Sequence, residues 1–154
     1  MADISLQTYT LVITGAPYSS QAPQTALDFA RAAVTAGHQI DRVFLYGDGI
    51  HMASALICPP SDEPHWPRLW SEFLVEHQIP AVACVASALR RGLIDSGEQT
   101  RYELSAHNIR TPFEIAGLVS YTHRTLPTTY YLSTSACYVS LTKKSRYTSA
   151  CSTP

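Results

Sequence analysis

Apolar and β-branched residues run from Tyr9 to Thr14 and stop at Gly15-Ala16-Pro17, the pattern of a buried strand closed by turn residues. Ala26, Phe29, Ala30 and Ala33 then recur at helical spacing, with Ser20 available as a cap, Pro23 in the first turn and Gly37 just past the end. Ile40 and Val43 to Tyr46 read as a second strand bounded by Gly47-Asp48-Gly49, followed by a short helix from Ile50 to Leu56. Cys58 to Pro67 is a proline-rich loop, after which Trp66, Leu69, Trp70, Phe73, Leu74 and His77 share one side of a helix. The run Ile79 to Ala83 is a third strand that delivers Cys84, and Val85 to Arg91 reads as a helix closed by Gly92. Ser96 with Gln99 has the form of a capping box before a short helix reaching about Leu104, and Phe113 to Ile115 begins a fourth strand. Tyr130 to Leu132 and Tyr138 to Leu141 have strand propensity but no assigned place in the sheet. The alternation predicts an α/β fold, three layers α/β/α around a mostly parallel sheet.

Charge divides the chain in two. Residues 1–118 hold all twelve acidic residues and seven arginines with no lysine, a net of −5, whereas residues 119–154 hold two arginines and two lysines with no acid, a net of +4. All seven glycines precede Val119, and five of the nine tyrosines follow it. The overall −1 is thus the average of two unlike segments. The first segment, without lysine or a basic stripe, is poorly suited to neutralising phosphates, so direct nucleic-acid binding is not expected. No apolar run approaches the ~18 residues of a membrane span, and the N-terminus has no secretory pattern, so a cytoplasmic, single-domain body of residues 1–118 is expected. Of four cysteines, only Cys58 and Cys84 belong to that body, and reduced thiols are the expectation.

Cys84 is the candidate for chemistry. It stands where a strand hands over to a helix N-terminus, a setting whose unpaired N–H groups and dipole favour thiolate, and at the carboxyl end of a strand, where open α/β sheets bind ligands. The same position also suits a small buried residue finishing a strand. Position alone leaves both readings open.

The segment Cys84-Val85-Ala86-Ser87-Ala88-Leu89-Arg90-Arg91-Gly92 resembles the active-cysteine segment of the DsrE-like sulfur-relay family, and within it the TusD- and DsrE-type sulfurtransferase subunits. Further stretches match in the same order: Thr14 to Tyr18, Gly37-His38, Val43 to Gly49, Pro59 to Glu63, and Phe113 to Leu118. The resemblance covers residues 8–118 and implies a sulfurtransferase that carries sulfane sulfur as a persulfide on Cys84 and needs no cofactor. It implies paralogous TusB/TusC-type or DsrF/DsrH-type subunits, a TusA-type donor and a TusE-type or DsrC-type acceptor. The pathway would be 2-thiolation of the tRNA wobble uridine or bacterial sulfur oxidation. A non-catalytic scaffold subunit is the alternative. Family members continue after Gly117-Leu118 with a helix and a last strand. Here Val119 to Thr128 resembles translated sequencing-adapter sequence, so residues 119–154 are expected to be a non-homologous tail, disordered or artefactual.

Around Cys84, Tyr18, Tyr46 and Asn108 are expected to line a pocket, because each falls in a loop or at a strand end that can face it. Arg90 and Arg91 lie about two helical turns, ~10 Å, from Cys84, too far to pair with its sulfur. They either complement the helix dipole or dock an acidic partner. His51, Cys58 and His65, with Asp62 and Glu63, share a loop-rich stretch but lack the short ligand spacings of zinc sites, and no metal is expected. Cys58 could serve as a resolving thiol if its loop folded over Cys84.

Overall fold

The computed structural model describes residues 6–117 and the backbone of two further strands, Thr129–Thr134 and Cys137–Thr142. In chain order the elements are β1 (Thr8–Ile13), α1 (Ala22–Thr35), β2 (Gln39–Leu45), a 3-10 helix (Gly47–Ala53), α2 (Trp66–Glu76), β3 (Ala81–Cys84), α3 (Val85–Leu89), α4 (Ser96–Arg101), β4 (Phe113–Ala116), β5 (Thr129–Thr134) and β6 (Cys137–Thr142). The sheet order is β4-β3-β2-β1-β6-β5, with β1 to β4 parallel and the β5–β6 pair antiparallel on the β1 edge.

Register shows which residues share a face. Leu11 pairs with Val43, Val43 with Ala81 and Ala81 with Phe113, while Ile13, Leu45, Ala83 and Ile115 form the next row. Side chains alternate along a strand, so both rows point to one face, and they enter the core with α1 and α2. The strands follow one another in a single direction across the sheet, and right-handed crossovers then bring α1, α2 and α3 to the same face. The opposite face carries Val12, Phe44, Val82 and Glu114 in one row, then Cys84 beside Ala116. The segment that follows β4, where the sequence breaks composition, lies outside the described residues.

α1 turns Ala22, Ala26, Ala30 and Ala33 to the sheet, and these small side chains allow close approach. Its cap residue is Gln21, one position later than Ser20, whose Oγ instead accepts from Ala22 N–H at 3.4 Å and donates to the Ala16 carbonyl. It ends as the sequence predicts, at Gly37 with φ +84°: His38 N–H bonds back to Ala33 O and Gly37 N–H to Val34 O, a Schellman closure that a left-handed glycine permits. α2 buries Trp70, Phe73 and Leu74, and the Trp70 indole N–H donates to Pro23 O at 2.9 Å, joining the two helices. His65 caps α2 by accepting from Arg68 N–H through Nδ1.

Several local expectations are corrected, among them the short helix expected from Ile50 to Leu56, which is a 3-10 helix over Gly47–Ala53. The helix after Cys84 is five residues, not seven; beyond Leu89 the chain tightens, with Arg91 N–H on Ala88 O, and closes at Gly92 (φ +70°) through Leu93 N–H on Ala88 O. α4 is capped by Asp95, whose carboxylate accepts from Glu98 N–H at 2.8 Å, in place of Ser96, and it stops at Arg101 rather than near Leu104. Tyr46 leaves the second strand and heads the 3-10 helix in an extended conformation.

The two stretches of strand propensity in residues 119–154 take a place the sequence did not assign. β6 pairs along the whole of β1, and β5 along β6. An edge strand offers a row of unpaired N–H and C=O groups, and Thr/Tyr/Val-rich segments are the ones that fill it. The rest of the expected tail lies outside the described residues.

Candidate functional site

Parallel strands deliver their carboxyl ends to one edge, and the exits of β1 and β2 are laced together there by backbone. Tyr46 N–H donates to Ile13 O at 3.0 Å, and Gly49 N–H to Thr14 O at 2.9 Å. This approach requires glycine at position 49, because a Cβ there would fall on the carbonyl of Ile13. Cys84 ends β3 and forms the N-cap of α3 with extended φ/ψ. Leu45 pairs with Ala83, and Tyr46 and Cys84 are the residues that follow this pair. Both belong to the sheet face turned away from α1 and α2, and the Tyr46 ring stacks along Phe44 on that face, 6.5 Å between centroids.

Cys84 is only 4% exposed, the burial that a small residue finishing a strand would show. The sequence criterion addressed position along the chain, whereas covering depends on what packs above the sheet. The brevity of α3 also limits its dipole to little more than one turn. Cys58 is exposed and free.

Of the expected pocket residues, Tyr46 follows Leu45, whose partner Ala83 precedes Cys84, and is about half exposed. Tyr18 serves a different contact. Its hydroxyl donates to Pro64 O at 2.8 Å and accepts from Trp66 N–H at 3.3 Å, clipping the proline-rich loop to the β1 exit. Its φ of +69° is a costly conformation for a bulky residue, held by these bonds. Burial raises the Tyr18 phenol above its ordinary value, the Trp66 backbone bond opposes this, and the nearby Glu63 charge adds to it. Asn108 is a clip between loops: its Oδ1 accepts from Ile94 N–H at 2.8 Å and its Nδ2 donates to Gly92 O at 2.9 Å.

Arg90 is exposed, while Arg91 pairs with Asp48, its Nε donating to Oδ1 at 2.8 Å. Ser87 is buried and its Oγ accepts from Gly47 N–H at 3.2 Å. Asp48 and Ser87 were not singled out from sequence; the signal available was a serine four residues before Arg91 in the segment after Cys84. His51 and His65 are not drawn into a ligand set: among the described residues no three His, Cys, Asp or Glu side chains gather as a metal site. Two clefts of about 400 and 280 Å³ open at the opposite edge, where Thr8, His38, Asp41 and His77, and then Leu74, Pro112 and Glu114, surround the amino ends of the strands. No helix among the described residues is long and apolar enough to cross a membrane.

Comparison with known proteins bears on this edge. Residues 7–126 match the model of the DsrE/DsrF-like family. The chain is 43% identical over 110 residues to a sulfurtransferase TusD homolog of Aliivibrio fischeri, covering 71% of this chain and 85% of that protein. It is 40% identical over 112 residues to sulfurtransferase TusD of Sodalis glossinidius (73% and 86%) and 42% identical over 110 residues to DsrE of Allochromatium vinosum (71% and 85%). Among solved structures, the ychN protein of E. coli superposes with a TM-score of 0.59 at 22% identity, covering 77% of this chain and 90% of that one, a likeness of fold.

Proposed function

The chain belongs to the DsrE/DsrF-like family, and from that premise we propose that it is a sulfurtransferase subunit in which Cys84 carries the sulfur. The observation that carries the reading is the place of Cys84: the last residue of a central parallel strand, at the carboxyl edge, beside the exit of β2. In the first step the Cys84 thiolate attacks the outer sulfur of a donor persulfide. The donor S–S bond breaks, the donor leaves as a thiolate, and a new S–S bond makes Cys84 a persulfide. In the second, an acceptor thiolate attacks the terminal sulfur and Cys84 returns to thiolate. Both steps are exchanges without net oxidation, governed by thiolate fraction, leaving group and access. With Cys84 at 4% exposure, access is the demanding term, and docking of the donor must uncover the thiol.

In this reading the chain works in the cytoplasm with TusB/TusC-type or DsrF/DsrH-type paralogues, takes sulfur from a TusA-type donor and passes it to a TusE-type or DsrC-type acceptor. Near-equal identity to TusD and DsrE sulfurtransferases supports the sulfurtransferase reading and keeps tRNA thiolation and sulfur oxidation equally in the proposal. The −5 charge of residues 1–118 supports leaving any RNA to another subunit. The family match runs through residue 126, past the composition break at Val119, and the proposal of a tail foreign to the family rests on residues 127–154.

Burial of Cys84 favours a second reading, a scaffold subunit in which Cys84 only packs. Peptide mapping after exposure to a persulfide donor separates the two: an added sulfur on the peptide containing Cys84, removed by an acceptor thiol, supports the relay, and its absence from a folded chain supports the scaffold.

A further inference from the structure

α3 has five residues, too few to hold a helix in place by its own hydrogen bonds. Its position must come from what it is tied to. Ser87 and Arg91, four residues apart and therefore on one side of the segment, both reach the exit of β2. The Ser87 hydroxyl, buried at 6% exposure, accepts Gly47 N–H. Arg91 donates through Nε to Asp48 Oδ1 at 2.8 Å and through Nη1 to the Ser87 carbonyl at 3.3 Å. The head of the segment so fastened is Cys84, the N-cap of α3.

We propose that Asp48 and Arg91 are positioning residues for Cys84: their pair clasps the Cys84 segment onto the β2 exit and sets how far the thiol is covered. Arg91 is about two turns, ~10 Å, along the chain from Cys84, so it acts through the segment and not by its field on the sulfur. Arg91 is thereby an internal fastening before it is a docking residue for an acidic partner. The pair is partly exposed, with side chains 30% and 64% accessible, so its effect is modest, about two- to fivefold in an equilibrium. The inference takes its functional meaning from the reading of Cys84 as sulfur carrier, yet it is measured on the thiol itself.

The test uses the full chain with Cys58, Cys137 and Cys151 changed to serine, so that iodoacetamide labels Cys84 alone. Asp48→Asn and Arg91→Gln are each expected to label about two- to fivefold faster than the parent. The double variant is expected to label no faster than either single change. The charge-exchanged Asp48→Arg/Arg91→Asp chain should return to the parental rate, a rescue that general loosening of the fold does not produce. Unchanged labelling in both single variants, or effects that add in the double, overturns the proposal. Should Arg91→Gln unfold, Asp48→Asn at its exposed carboxylate carries the same comparison. Sulfur loading on the parent separates the two claims: coupling without loading rejects the relay and keeps the clasp, and loading without coupling does the reverse.

Discussion

The side-chain amide of Asn108 donates to the carbonyl of Gly92 at 2.9 Å, while its oxygen takes the Ile94 N–H at 2.8 Å. One side chain thus fixes the loop that leaves the Cys84 segment to the loop that enters β4. Asn108→Ala strands both backbone groups, the Ile94 N–H in a part-buried setting and the Gly92 carbonyl in an exposed one. The expected cost is about 1–2 kcal/mol, seen as a lower urea midpoint with an unchanged slope. Unaltered stability accompanied by a changed labelling rate of Cys84 would instead return Asn108 to the pocket.

Tyr18 holds the loop before α2 through two bonds from one hydroxyl. Tyr18→Phe is expected to destabilise by about 1 kcal/mol. The phenol is raised above the ordinary tyrosine value of 10.0, chiefly by burial, so the folded state favours its neutral form. Its stabilising contribution is full below that ordinary value and is lost as pH rises through the higher folded value. The tyrosinate absorbance lost in Tyr18→Phe should accordingly titrate above 10.0; an increment titrating at or below it contradicts the assignment.

Gly49 is required by proximity, since its amide bonds Thr14 O and a Cβ would meet the Ile13 carbonyl. Gly49→Ala is expected to cost about 1–3 kcal/mol as the backbone shifts to make room. Trp70→Ala, which removes the largest fully buried side chain among the described residues and frees Pro23 O, is expected to cost about 3–5 kcal/mol. Thermal melts of both variants check the order, with Trp70→Ala the less stable.

What the sequence disclosed follows from the range of the forces involved. The strands β1 and β2 were legible because each is a local apolar run closed by Gly, and α1 because Pro23 and Gly37 punctuate it, whereas the register that sets Leu11, Val43 and Ala81 in one row was not. The placing of Cys84 at a strand end was legible for the same reason. The Asp48–Arg91 pair and the Tyr18 clip join residues 43 to 48 positions apart, and no local pattern encodes them. The early tightening after Leu89 was hidden by alanines that suit a longer helix equally well. The covering of Cys84 was hidden too, since alternation within β3 says which face the thiol takes but not what lies over it.

The central claim is that Cys84 carries sulfur, and intact-mass analysis of the folded chain after exposure to a persulfide donor tests it most directly, with Cys84→Ser as the control. The account predicts one added sulfur atom on the wild-type chain, none attributable to position 84 in the variant, and loss of that sulfur on addition of an acceptor thiol. A folded wild-type chain that gains no sulfur, or gains the same amount as Cys84→Ser, would contradict it and make Cys84 a packing residue of a scaffold subunit.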